Sequence, residues 1–161
     1  MKHPELLKVL ELNKTVLRQL ISVMTEAEIQ RRIKDYWTVY EHLAHLVEAQ
    51  EVAVRRIGRF LHEEAPAIVP FSPDKAPETA SKPASAESLL EVFCQHRDTQ
   101  LTLLRKAKTA DWKKTGSHPE YTRYTLEILV RHTMLHDHFH MFRMEQLWIM
   151  KEEFLLPLES N

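Results

Sequence analysis

Apolar residues in this 161-residue chain return every three or four positions along four long stretches, and the alternation expected of strands is largely missing. That spacing gathers apolar side chains on one face of a helix, and the face has to be buried. In the first stretch, Leu6, Leu7, Leu10, Val16, Leu17, Leu20 and Ile21 form such a stripe over about residues 4–24, with Pro4 suited to a first helical turn. Thr25-Glu26-Ala27-Glu28 reads as a short capped turn leading to Tyr36-Trp37. Thr38 with Glu41 three residues later is a capping box that starts a second helix running to about residue 62. A third helix follows Ser85 as N-cap, over about 86–108, and a fourth covers about 125–151. Gly58, inside the second helix, costs roughly 1 kcal/mol relative to alanine, and a close helix crossing would account for it.

Between the second and third helices, Pro66, Pro70, Pro73, Pro77 and Pro83 fall within residues 65–84. Neither side holds a separate core's worth of helices, so this is a crossover loop and not a domain boundary. A second loop spans about 109–124. The expected fold class is all-α: a single domain over residues 1–161, built as a four-helix bundle with a long crossover between helices two and three.

Composition narrows the function. With 22 basic against 23 acidic residues and no basic tract, phosphate-driven nucleic-acid binding is not expected. Two glycines, Gly58 and Gly116, cannot build a glycine-rich phosphate loop. The single cysteine, Cys94, excludes an intrachain disulfide and reads as a small core hydrophobe. The N-terminal residues lack the apolar core of a signal peptide, and no apolar run is long enough for a bilayer. A cytoplasmic protein without membrane partners is the expectation.

Histidine supplies the chemistry. His132, His136, His138 and His140 crowd the fourth helix, and His136 and His140 stand one turn apart on one face, where two imidazoles grip one ion. A helical wheel groups them with Leu129, Phe139 and Leu147 as inward, and leaves His138 exposed. His132 lies one turn earlier, as a ligand or as a supporting group. A second helix has to complete the site, from His42 or His45; the wheel slightly favours His42, and periodicity alone leaves the choice open. The pair by itself is a weak signal, since H-x-x-x-H lacks the glutamate of the stronger zinc motif.

The order of several segments carries more. Trp37-Thr38-Val39-Tyr40-Glu41-His42-Leu43-Ala44-His45-Leu46 resembles the second-helix signature of the DinB/YfiT-like superfamily, in which a ligand histidine follows the tryptophan by eight positions. Asp111 to Pro119 resembles the loop before that family's last helix, and His136-Asp137-His138-Phe139-His140 its H-D-x-x-H pattern. The resemblance spans most of residues 36–147. It implies a metal triad of His45, His136 and His140, and a homodimer, to which the apolar C-terminal cluster Trp148, Met150, Phe154, Leu155 and Leu156 would contribute unless it closes the bundle. One departure is visible: Arg143 and Met144 occupy the stretch where the family commonly carries a glutamine.

Three imidazoles leave coordination positions open, as catalytic sites do, and zinc, nickel or ferrous iron all suit nitrogen ligands. The resemblance therefore implies a metal-dependent thiol S-transferase or hydrolase acting on a small electrophile, with a low-molecular-weight thiol as possible cosubstrate. The alternative is a stress-related metal-binding or scaffold protein without turnover. Glu41 and Glu48 are candidates to support the ligands, although glutamates on a long helix usually face solvent. Asp137 is not expected to orient His136, because neighbours in a helix point apart.

Overall fold

The computed structural model describes residues 3–71 and 84–155. Four long helices dominate: α1 (His3–Ser22), α3 (Val39–His62), α4 (Ala86–Lys106) and α6 (Leu126–Ile149). The short α2 (Glu26–Ile29) follows α1 behind a capping box of Thr25 and Glu28. Thr38, Ser85 and Thr125 each cap their helix by accepting a backbone N–H three residues on, at α3, α4 and α6. The expected helices and their starts are thus present; α3 ends where expected, and α1, α4 and α6 end two residues inside the expected limits.

The four helices form a square in which α3 and α1 each pack between α4 and α6. The consecutive pairs α1–α3 and α4–α6 therefore stand on diagonals, whereas α3 and α4 are neighbours. One apolar cluster joins Leu17 and Ile21 to the first half of α3, the first half of α4 and the last half of α6. The other joins Leu6 and Leu10 to Ile57, Phe60, Leu101, Leu104, Leu126 and Leu129. So α1 and α6 run one way and α3 and α4 the other. Parallel neighbours need a connection that returns along the bundle, which explains the proline-rich crossover. It leaves the end of α3 through a bridge from Ala67 to Ser117, and re-enters where the Tyr40 hydroxyl donates to the Ala84 carbonyl, 2.9 Å away. Pro73, Pro77 and Pro83 lie outside the described residues.

The second loop is more ordered than the sequence suggested. It holds α5 (Thr109–Lys113) and an antiparallel hairpin of β1 (Thr115–His118) and β2 (Tyr121–Thr125), which pairs Thr115 with Thr125 and Gly116 with Tyr124. The strands are too short and too polar to show a buried alternation, but Tyr-Thr-Arg-Tyr-Thr is rich in β-formers. Gly116 is needed there: a Cβ would lie 2.7 Å from the Pro66 carbonyl oxygen and 2.9 Å from the Phe60 ring. Gly58 is different. Among the described residues a Cβ there would meet nothing within 4 Å, so none of their helices crosses closely at that point.

Between the two apolar clusters lies a polar layer drawn from all four long helices. Arg97 and Asp137, 0% and 1% exposed, are joined by an ion pair of 2.7 Å. Arg97 also donates to the Gln50 side chain at 2.6 Å and to the Leu10 carbonyl at 3.2 Å. Asn13 and Gln50 each donate to Asp137, at 2.8 and 2.9 Å, and Gln100 donates to Gln50 at 2.8 Å. Asp137 thus points away from His136, as helix geometry requires, into the centre of the bundle. Sequence reasoning gave it no such role.

Gly58→Ala should stabilise by about 0.5–1 kcal/mol in chemical unfolding, because it removes backbone entropy without a clash, whereas Gly116→Ala should destabilise. Asp137→Ala strands a buried guanidinium and should cost about 3–5 kcal/mol; an Arg97→Met/Asp137→Leu double variant should recover much of that loss.

Candidate metal centre

The first half of α3 faces the last half of α6, and this antiparallel contact assembles the histidines. The Nε2 atoms of His45 and His136 lie 3.0 Å apart, and those of His140 and His136 3.2 Å apart. One ligand atom from each of the three residues lies within 4.8 Å of every other. Nitrogens held about 2.0–2.1 Å from one ion stand about 2.9–3.4 Å apart in octahedral or tetrahedral geometry, so both contacts fit shared coordination. Among the described residues, this is the one group of three or more potential metal ligands so converged.

His42 also lies in the cluster, but on its far side. Its Nδ1 is 2.8 Å from Nδ1 of His140, the nitrogen that points away from the triad. The wheel's choice between His42 and His45 is thereby resolved: both are buried, at 1% and 3% exposure, and they meet different atoms. His132 lies outside the cluster, beside Tyr121 and Tyr124 at ring-centroid distances of 5.1 and 5.8 Å. His138 faces solvent, with Nε2 3.0 Å from the Asn13 side-chain oxygen. Glu41 is occupied by the α3 capping box and by an ion pair to Arg32 at 2.6 Å. Glu48 is half-buried, one turn beyond His45. Cys94 is partly buried against the first apolar cluster, in keeping with a packing role.

Aromatic rings wall the cluster. Trp37 lies over it, with its ring 5.3, 5.2 and 6.4 Å from those of His42, His45 and His140. Phe71 stacks on His45 at 6.1 Å, and Phe139 meets His140 edge-on at 5.1 Å. His136 opens onto a pocket of about 590 Å³ between α3, α6 and the hairpin, whose walls include Arg56, Phe71, Tyr121, Tyr124 and His132. Of these, only His132 is singled out by the sequence; Tyr121 and Tyr124 are carried by the hairpin, whose polar strands give no periodic signal. Phe139 also departs from the wheel: it is 50% exposed, as are Leu135 at 52% and Phe142 at 55%, so α6 is apolar on two sides.

Burial sets the protonation of the cluster. Desolvation pushes His42 and His45 down to about 3, aided at His42 by the Arg143 charge and at His45 by His136. Burial also lowers His140, with the neighbouring imidazoles adding to the effect, and it lowers His136 against the opposing pull of Asp137. Neutral imidazoles are what a metal ligand set requires. Arg143, 4% exposed, occupies the departure from the family pattern. It donates to Gln146 at 2.7 Å, while its Nε and Nη2 have no hydrogen-bond partner among the described residues. Of the C-terminal apolar cluster, Trp148, Met150 and Leu155 pack on the core, Phe154 is 65% exposed, and Leu156 lies outside the described residues.

Comparison with known proteins agrees with this geometry. The sequence profile of the DinB superfamily matches residues 10–142. The chain belongs to the DinB superfamily. It is 28% identical over 144 residues to YfiT of Bacillus subtilis, a protein named provisionally as a metal-dependent hydrolase; the match covers 88% of this chain and 81% of that one. The solved structure of YfiT, described as having an unusual four-helix-bundle topology, superposes with a TM-score of 0.81 at 24% identity. That superposition covers 91% of this chain and 85% of the other. The DinB-like four-helix bundle is thus shared. Among the described residues, no helix is long and apolar enough to cross a membrane.

The lowered histidines make stability fall with acidity. An unfolded imidazole takes up its proton near pH 6.5, whereas the folded His42 resists until about 3. Below pH 6.5 the unfolded state therefore binds more protons, and stability is lost progressively as the pH falls toward 3. In urea unfolding of metal-free protein at pH 7.5 and 5.0, His42→Phe should lose less stability than wild type over that interval, by about 2 kcal/mol.

Proposed function

We propose that the chain binds a divalent transition metal through Nε2 of His45, His136 and His140, and uses it to activate water or a low-molecular-weight thiol against a small electrophile. This makes it a metal-dependent hydrolase or thiol S-transferase. The observation that carries the reading is the convergence of three Nε2 atoms, at ion-sharing distances, beside an open pocket. Zinc, nickel and ferrous iron all suit the donors.

A bound ion would supply Lewis acidity, lowering the pKa of a nucleophile presented to it. The protein's residues do the rest. His45 and His140 hold their nitrogens from the buried side, so access is left on the side of His136, which lines the pocket. Trp37, Phe71 and Phe139 exclude water from the flanks. Tyr121, Tyr124 and Arg56 are placed to seat the remainder of a small substrate. The name of YfiT as a metal-dependent hydrolase supports the hydrolytic branch.

The test is metal analysis of protein purified without a His tag, for wild type and for His45→Ala, His136→Ala and His140→Ala. About one ion per chain is expected in wild type, with loss in each variant and retained helicity. The loaded protein, assayed with small esters and amides and with thiol–electrophile pairs, should show turnover that fails in the same variants. Bound metal without conversion on either panel would favour a non-catalytic metal-binding protein. Unchanged occupancy in the His45 variant would sink the site assignment.

A further inference from the structure

We propose that His42 is a positioning residue for the metal centre: its Nδ1 accepts the Nδ1–H of His140 and thereby keeps the His140 Nε2 lone pair free to face the triad. This rests on the reading of His45, His136 and His140 as ligands.

The two Nδ1 atoms are 2.8 Å apart, so one proton lies between them and belongs to one ring or the other. If His42 donates it, Nδ1 of His140 is the acceptor. A neutral His140 must then carry its own proton on Nε2, where it blocks ligation. If His140 donates it, its Nε2 is bare and aimed at Nε2 of His136, 3.2 Å away. Only the second arrangement binds a metal. His42 therefore takes the part that a carboxylate or backbone carbonyl commonly takes behind a ligand imidazole.

The fold holds His42 to that task. It lies one turn before His45 on α3, so a single helix provides one ligand and the partner of another. Its ring is 1% exposed and packs against Trp37 at 5.3 Å. The arrangement also has a cost. With its Nδ1 accepting, His42 carries a proton on Nε2, and among the described residues that buried atom has no hydrogen-bond partner. An acceptor without this orphaned donor should serve at least as well.

Asparagine places a carbonyl oxygen near the position of Nδ1, whereas leucine keeps bulk without an acceptor. Zinc titrations should be run on wild type, His42→Asn, His42→Leu and His45→Ala, each checked for helicity. His42→Leu should weaken zinc binding by about 10–100-fold, and His42→Asn should restore most of the affinity. Long-range ¹H–¹⁵N correlation spectra of the zinc-loaded protein should show His140 protonated at Nδ1, with that proton slow to exchange in wild type and fast in His42→Leu. Wild-type affinity in His42→Leu, or an asparagine variant as weak as the leucine one, would overturn the proposal. A different pattern marks failure of the metal reading itself: a wild type that binds no zinc, or a His45→Ala variant that binds it undiminished. The proposal falls with it in either case.

Discussion

The Arg97–Asp137 ion pair sets the frame on which the histidine site depends. Asp137 has His136 immediately before it on α6, and His140 three residues after. Successive helical residues are about 100° apart, so both histidines fall on the same side of Asp137, about 60–100° round the helix. With the carboxylate bound to Arg97, Asn13 and Gln50, α6 has little freedom to rotate. That rotation presents His136 and His140 to α3. A buried ion pair is weak evidence of net stability, but one whose partners come from four helices defines a register.

The diagonal connectivity does the complementary work along the bundle axis. Because α3 and α6 are neighbours running in opposite directions, the first turns of α3 meet the later turns of α6. The capping box at Thr38 fixes where α3 begins, and therefore how far along the helix His42 and His45 lie. Trp37, just outside the cap, is left over the cluster instead of in the helix. The crossover required by the parallel α3–α4 pair has its own consequence for the site, since it brings Phe71 onto the His45 ring.

Local signals were legible in the sequence, and non-local ones were not. Four long helices and the caps at Thr25, Thr38, Ser85 and Thr125 follow from periodicity and from hydrogen bonds spanning three residues. The wheel could not separate His42 from His45, because residues three apart differ by only about 60° and both are buried. Resemblance chose His45, and in the structure both rings enter the cluster, His45 against His136 and His42 against His140. The polar layer was illegible for a different reason: Asn13, Gln50, Arg97 and Gln100 look like surface residues, and only the tertiary arrangement makes them interior. On α6 the pattern is mixed: Leu135, Phe139 and Phe142 are exposed while Asp137 and Arg143 are buried, although Leu129 and Leu147 lie in the core. A wheel that ranks faces by hydrophobicity places Leu129, Leu147 and His140 correctly but misplaces Phe139, because it cannot foresee a polar layer inside the bundle.

The charge of the site constrains the chemistry further. Three neutral imidazoles contribute nothing to balance a divalent ion, so its full charge would act on whatever enters from the pocket. Arg143 adds a positive charge close enough to depress His42 and His140, and among the described residues no carboxylate is paired with it. In a buried setting such a field is screened far less than in water. It favours an anionic nucleophile over its neutral conjugate acid, whether hydroxide from water or thiolate from thiol. Both branches of the proposed activity therefore draw on the same electrostatic feature, and the partner that the pocket admits decides between them.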